Sequence, residues 1–126
     1  MSTVLLIDDD PVEHHLLNAM LLRARRTDIE VSVAVTLDEA ARKINTAAPG
    51  AVLLDHRLPP HDDYRISVQE LRQAGYRGPV VVISAAIGER AFDEAKRHGV
   101  VEVVDKLRLW DEIVDGLFER IMPMVH

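Results

Sequence analysis

Short runs of apolar residues recur along the chain and are separated by stretches of helical periodicity. Three of these runs are continuous, at Val4–Ile7, Ala51–Leu54 and Val80–Ile83. Continuous runs of this length are typical of strands that helices cover on both faces of a parallel sheet. Glu30–Val35 alternates polar and apolar positions, and Val100–Val104 is interrupted by one glutamate, so these two runs predict edge strands.

Each predicted strand is followed by a predicted helix. Asp10 and Pro11 supply an N-cap and a proline at the first helical position, and this first helix is expected to end near Arg26. Thr36–Glu39 is a capping box, which predicts the start of the second helix. The other helices are expected at residues 64–75, 89–98 and 109–122.

The strict alternation of strands and helices predicts an α/β fold with a parallel sheet and right-handed crossovers. Placing the three most apolar strands in the centre gives the strand order 2-1-3-4-5. We therefore expect a flavodoxin-like (βα)5 three-layer sandwich. In such a sheet the first and third strands are neighbours, and ligands bind beyond the carboxyl ends of the strands.

Composition narrows the class of protein. With 126 residues, of which 48% are hydrophobic, the chain is expected to form a single domain over residues 1–126, with no residues left for an output domain. The net charge of −6 disfavours a nucleic-acid surface, and the absence of cysteine excludes thiolate sites. Because the N-terminal apolar run is too short for a signal peptide or a membrane span of about 20 residues, we expect a cytoplasmic protein without membrane insertion.

The polar residues that follow the strands carry the candidate chemistry. Asp8 and Asp9 follow the first strand and Asp55 follows the third, so the predicted order brings three carboxylates into one crevice. Such a cluster favours a hard divalent metal ion or a basic partner, and Mg²⁺ is the natural candidate because it binds carboxylate oxygens and keeps exchangeable waters. Ser84 and Lys106, after the fourth and fifth strands, add a hydroxyl and a positive charge. These are the groups that phosphoryl transfer to Asp55 requires.

The same motifs resemble the receiver domains of bacterial two-component response regulators, and the resemblance covers essentially the whole chain. The matching residues are Asp8 and Asp9 after Val4–Ile7, Asp55 within Leu53–Pro59, Ser84 and Ala85 after Val80–Ile83, and Lys106 near the end of the fifth strand. We expect a stand-alone receiver similar to the chemotaxis regulators.

The resemblance implies that Asp55 accepts a phosphoryl group from a sensor histidine kinase or a histidine phosphotransfer protein. The residues implied to hold Mg²⁺ are Asp8, Asp9, Asp55 and, through its backbone carbonyl, Arg57. Ser84 and Lys106 would bind phosphoryl oxygens. The protein is not expected to be an enzyme beyond self-catalysed transfer and autodephosphorylation. The face made by the predicted fourth helix, the fifth strand and the last helix would shift to bind a downstream protein, and it is also the candidate homodimer surface.

Three positions differ from the family pattern or could modify its chemistry. Val103 replaces the aromatic that usually switches rotamer, so a signal would have to run through backbone shifts or repacking of Val103. Leu107 replaces the proline after Lys106, and a cis bond there would cost about 2.5–4 kcal/mol. We therefore expect either a trans bond with a reshaped loop or a strained exception. Arg57 stands where side chains gate the access of water to the acyl phosphate, and it could cover the site or pair with Glu89.

Other features leave alternatives open. The histidines lack the spacing of a metal site and are expected to face solvent, at positions His14, His15, His56 and His61. The broad apolar stripe of the last helix either completes the core or forms a partner surface. A receiver-like interaction module that acts without phosphorylation is the alternative function, favoured by Val103 and Leu107. An aspartyl phosphatase is disfavoured because Arg57 stands where such enzymes place a second acid.

Overall fold

Five parallel strands form one sheet in the computed structural model, which describes residues 2–60, 63–85 and 95–122. The strands are β1 (Ser2–Ile7), β2 (Ile29–Ala34), β3 (Ala51–Asp55), β4 (Val80–Ser84) and β5 (Val100–Asp105). Their order is β2-β1-β3-β4-β5, which confirms the predicted topology. All the carboxyl ends of the strands therefore lie at one edge of the sheet.

Helices cover both faces of this sheet. They are α1 (Pro11–Arg23), α2 (Leu37–Thr46), α3 (Tyr64–Gln73), α4 (Leu109–Val114) and α5 (Leu117–Ile121). The buried side chains of α2 and α3 join one apolar cluster, and those of α1, α4 and α5 join another. The predicted three-layer sandwich is thus confirmed. Within the described ranges, none of the helices has the length and apolar character that a bilayer crossing requires.

The predicted helix starts are set by side-chain caps. The Asp10 side chain accepts a hydrogen bond from the Val12 amide at 3.0 Å, and Thr36 Oγ1 accepts one from the Glu39 amide at 3.1 Å. Asp63 caps α3 by accepting from the Arg65 amide at 2.8 Å. Each cap satisfies a backbone donor that the first helical turn leaves without a partner.

The prediction of one last helix over residues 109–122 is wrong. The chain forms α4 and α5 instead, because Gly116 adopts a φ of +103°, a left-handed conformation that ends one helix before the next begins. The break lets both short helices direct their apolar side chains into the same cluster, whereas Val114 stays 56% exposed. Most of the broad apolar stripe therefore belongs to the core.

The predicted fourth helix, 89–98, lies largely outside the described residues. Its last residues, Ala95–His98, form a 3-10 helix that precedes β5. Ala95 is buried and joins the cluster that α2 and α3 share. This short turn fixes where the chain enters β5.

Arg72, near the end of α3, binds three backbone carbonyls at the amino edge of the sheet. Its guanidinium donates to the carbonyls of Tyr76 at 3.0 Å, Gly78 at 2.8 Å and Gly99 at 3.0 Å. Gly78 lies shortly before β4 and Gly99 immediately before β5. One side chain therefore connects α3 to the segments that lead into both strands.

Ser67 is fully buried on α3, and its Oγ has no hydrogen-bond partner in the part of the chain that the structure describes. A buried polar group without a partner costs about 1–3 kcal/mol. We therefore expect Ser67→Ala to raise the free energy of unfolding by about 1 kcal/mol, as measured by urea denaturation. A loss of stability on this substitution would show that the hydroxyl forms a favourable contact.

Candidate functional site

The carboxyl edge of the sheet brings the sequence-predicted site residues together. Asp55 is the last residue of β3 and Ser84 the last of β4, while Asp8 and Lys106 directly follow β1 and β5. A cleft of about 260 Å³ opens beside Asp55, Ser84 and Lys106. Its lining residues are Asp55, His56, Arg57, Ser84, Ala85 and Lys106.

The three predicted carboxylates form the group that could hold a metal ion in the described part of the chain. One oxygen from each of Asp8, Asp9 and Asp55 lies within 4.8 Å of the other two. Asp8 is 4% exposed, Asp55 is partly buried and Asp9 is exposed to solvent. The cluster is therefore buried on the β1 side and open on the side of Asp9.

Asp8 is held in an environment that disfavours its charge. Burial raises the pKa of the Asp8 carboxyl from 3.8 to about 6, and the nearby carboxylate of Asp55 adds to this rise. Two contacts oppose it, namely the hydrogen bond that the Asp10 amide donates to Asp8 Oδ1 at 2.9 Å and the positive charge of Lys106. The net rise shows that these contacts leave the buried charge incompletely compensated.

Lys106 supplies the positive charge in the cluster. Its Nζ lies 3.7 Å from Asp8 Oδ2, 3.8 Å from Asp55 Oδ1 and 3.7 Å from Glu13 Oε1. Burial lowers the pKa of the Lys106 ammonium, but the attraction of Asp55, Asp8 and Glu13 outweighs burial and the net shift is upward. Lys106 is thus shared among three carboxylates at similar distances.

Glu13 is the residue of this cluster that the sequence prediction missed. It lies in the first turn of α1, where the positive end of the helix dipole stabilises an acidic side chain. An acid at this position therefore does not by itself indicate a functional site. The available signal was its position three residues after the N-cap Asp10, on the helix that follows β1. That position shows proximity to the edge of the sheet but does not reveal the contact with Lys106.

The Lys106–Leu107 bond is trans, because the cis peptide bond of the described residues lies between Pro59 and Pro60. Lys106–Arg108 forms a 3-10 turn, and the Asp105 side chain caps it by accepting a hydrogen bond from the Leu107 amide at 2.9 Å. The side chain of Leu107 is 91% exposed. Of the two expected alternatives, the structure has the trans bond and not the strained cis bond.

Three other predicted positions lie where the topology places them. Ser84 is buried at the end of β4, and Arg57 is exposed at the rim of the cleft. Val103 is half-buried, pairs in register with Val82 and packs against the cluster beneath α2 and α3. The expected partner of Arg57, Glu89, lies outside the described residues. The roles of these residues in phosphoryl binding, gating and switching stay predictions.

The prediction that His56 faces solvent is wrong, since the residue is only 3% exposed. Its amide donates to the Ile83 carbonyl at 2.9 Å, so pairing with β4 continues one residue beyond β3. The His56 ring packs beside Tyr64, with 5.7 Å between the ring centroids. On α1, His15 is exposed and His14 is half-buried. His61 lies outside the described residues.

Comparison with known proteins gives a consistent result. A family model described as the response regulator receiver domain matches residues 4–117. A protein-glutamate methylesterase/protein-glutamine glutaminase 1 from Anaeromyxobacter dehalogenans is 33% identical over 129 residues, covering 98% of this chain and 35% of that protein. The protein of the same name from Carboxydothermus hydrogenoformans is 34% identical over 85 residues, covering 66% of this chain and 24% of that protein. The chain thus spans about a third or less of the length of these curated relatives.

Solved structures share the fold. The receiver domain of NtrX from Brucella abortus superposes with a TM-score of 0.79 at 25% identity, covering 97% of this chain and 99% of that one. A receiver domain of a sensor histidine kinase from Pseudomonas aeruginosa, with magnesium coordinated in its active site cleft, superposes with a TM-score of 0.77 at 22% identity. That match covers 97% of this chain and 98% of the other.

Proposed function

Because the chain belongs to the response regulator receiver domain family, we propose that it accepts a phosphoryl group on Asp55 in a two-component phosphorelay. One observation carries this proposal. The Asp55 carboxylate lies at the mouth of a cleft, within 4.8 Å of the oxygens of Asp8 and Asp9 and 3.8 Å from the Lys106 ammonium. A carboxylate in this setting has acidic neighbours for a cation and a fixed positive charge beside it.

The donor set of the cluster fits Mg²⁺. All three side chains offer carboxylate oxygens, the hard ligands that this ion prefers, and Asp9 leaves one side open for water. Burial is the main cause of the raised pKa of Asp8, and the neighbouring carboxylate of Asp55 adds to it, so a cation bound here would favour the charged form of Asp8. The related receiver with magnesium in its cleft supports the same choice of metal. We propose Asp8, Asp9, Asp55 and the backbone carbonyl of Arg57 as the ligands.

The proposed transfer exchanges one bond to phosphorus for another. An Asp55 oxygen forms the new P–O bond to phosphorus as the P–N bond of a donor phosphohistidine breaks. The electron pair of the broken bond stays on the imidazole nitrogen, which then takes a proton from water. Bound Mg²⁺ would neutralise negative charge on the phosphoryl oxygens. Lys106 and Ser84 border the same cleft, where an ammonium and a hydroxyl can donate to those oxygens.

Signal output is proposed to run through β5. Val103 is half-buried and packs against the core three residues before Lys106, so a displacement of Lys106 toward a phosphoryl group would act on its packing. We propose that this changes the face around β5 that a downstream protein contacts. Donor and target are proposed to be a sensor histidine kinase or phosphotransfer protein and a protein effector.

Incubation with Mg²⁺ and acetyl phosphate, followed by intact-mass measurement, tests the phosphoacceptor. The wild-type protein is expected to gain the mass of one phosphoryl group, and Asp55→Ala is expected to gain none. Asp38→Ala removes an equivalent carboxylate from the first turn of α2 and should keep the full gain. Chelation of Mg²⁺ should abolish the gain in the wild-type protein.

Two results would contradict the proposal. One is the absence of any mass gain in the folded wild-type protein, which would support an interaction module that acts without phosphorylation. The other is an unchanged gain in Asp55→Ala, which would place the acceptor elsewhere. Peptide mapping of the phosphorylated wild-type protein locates the modified residue directly.

A further inference from the structure

The geometry points to Glu13 as a positioning residue that holds the Lys106 ammonium over the cleft. This inference rests on the proposed phosphoacceptor function of Asp55. Glu13 Oε1 and Asp8 Oδ2 each lie 3.7 Å from Lys106 Nζ, and Asp55 Oδ1 lies 3.8 Å away. Nearly equal distances mean that no single carboxylate fixes the ammonium, so each contributes to its position.

The three carboxylates differ in whether they could also bind a metal ion. Asp8 and Asp55 belong to the cluster whose oxygens could hold a metal ion, whereas Glu13 does not. A cation in that cluster would share the charge of Asp8 and Asp55 and would repel the ammonium of Lys106. Glu13 is then the neighbouring carboxylate whose attraction for Lys106 is not divided with the metal.

The positions of the two side chains give this contact its importance. Lys106 lies in a 3-10 turn that Asp105 caps, next to Leu107, whose side chain is exposed. Glu13 lies on another element, in the first turn of α1, and both side chains of the pair are only 25% exposed. An ion pair with limited exposure is screened less than a surface pair, so it can orient a flexible lysine.

A double-mutant cycle tests this role. We expect Glu13→Gln to slow the Mg²⁺-dependent phosphorylation of Asp55 by acetyl phosphate about three- to ten-fold at saturating Mg²⁺. In a Lys106→Met background, which starts from a slower rate, Glu13→Gln should cause little further slowing. Glu30→Gln makes the same charge change near the amino end of β2 and should leave the rate unchanged in both backgrounds.

The outcomes of the rate measurement separate positioning from other roles. Equal slowing in both backgrounds would mean that Glu13 acts independently of Lys106, and it would overturn the inference. An unchanged rate in the Lys106-containing protein would overturn it as well. Circular dichroism and the urea midpoint of each variant identify any loss that comes from misfolding.

A second cycle uses the metal-free protein and needs no phosphorylation. Glu13→Gln removes the repulsion between the carboxylates of Glu13 and Asp8 in both backgrounds. It removes the attraction between Glu13 and the Lys106 ammonium only in the protein that contains Lys106. The urea midpoint should therefore rise more in the Lys106→Met background than in the Lys106-containing protein. Equal shifts would overturn the contact. If the wild-type protein gains no phosphate, the proposed function fails, and this cycle alone decides whether Glu13 holds Lys106.

Discussion

Asp8→Asn is expected to stabilise the metal-free protein while weakening its affinity for Mg²⁺. At pH 7.5 the free energy of unfolding should rise by about 2–3 kcal/mol, since each unit of pKa shift corresponds to about 1.4 kcal/mol. The cause is the rise of the Asp8 pKa from 3.8 to about 6, which means that folding disfavours the charged carboxyl. Asn keeps a carbonyl oxygen that can accept from the Asp10 amide.

The pH dependence of this effect has a definite sign. An acid whose pKa is raised in the folded state binds protons more tightly there, so its ionisation destabilises the fold as pH increases. The penalty in the wild-type protein grows between 3.8 and about 6 and is complete above that range. The advantage of Asp8→Asn should therefore be largest at neutral pH and should shrink as pH falls from about 6 toward 3.8.

Urea denaturation in the presence of a chelator measures the stability gain, and isothermal titration calorimetry measures the affinity for Mg²⁺. Asp9→Asn is the matched control, because Asp9 belongs to the same cluster but is exposed. It should weaken Mg²⁺ binding without a comparable gain in stability. Lower stability of Asp8→Asn at pH 7.5 would show that its contacts with Lys106 outweigh the cost of burial.

Phe118→Ala is expected to lower the free energy of unfolding by about 3–5 kcal/mol, the range for removing a buried aromatic side chain. Phe118 is 1% exposed and belongs to the cluster that α5 shares with α1 and α4. The guanidinium of Arg26 lies 5.8 Å from the centroid of its ring, so the substitution also removes a cation–π contact. The change in the urea midpoint gives the measurement.

Val114→Ala provides the contrast for this prediction. Val114 ends α4 and is 56% exposed, so its truncation should change stability by no more than about 0.5 kcal/mol. Phe118→Leu should fall between the two, because it retains part of the buried apolar volume. Similar losses for Val114→Ala and Phe118→Ala would mean that the apolar surface of the last two helices is buried differently.

The fold could be predicted from the sequence because strand burial and helix caps are local signals. The apolar runs of β1, β3 and β4 and the caps at Asp10 and Thr36 each place an element without knowledge of the rest of the chain. The break at Gly116 was missed because the apolar pattern continues across it. The left-handed conformation of Gly116 ends α4, and the apolar pattern alone does not show it.

The residues of the candidate site could be predicted because the strand order determines which of them meet. Once β1 and β3 are neighbours, Asp8 and Asp55 must meet at the carboxyl edge. Glu13 and His56 depend on the directions of individual side chains, which are set by tertiary packing. Sequence position could therefore place these two residues near the cleft without showing that one contacts Lys106 and the other is buried.

The three carbonyl contacts of Arg72 limit how the carboxyl edge can change shape. Gly78 and Gly99 lead into β4 and β5, and one guanidinium binds both, so the amino ends of these strands keep their separation. Ser84 and Lys106 lie at the opposite ends of the same two strands. Because the Arg72 contacts oppose sliding of one strand past the other, we expect the spacing of these two side chains to change through the carboxyl ends alone, by altered twist or by movement of the side chains themselves.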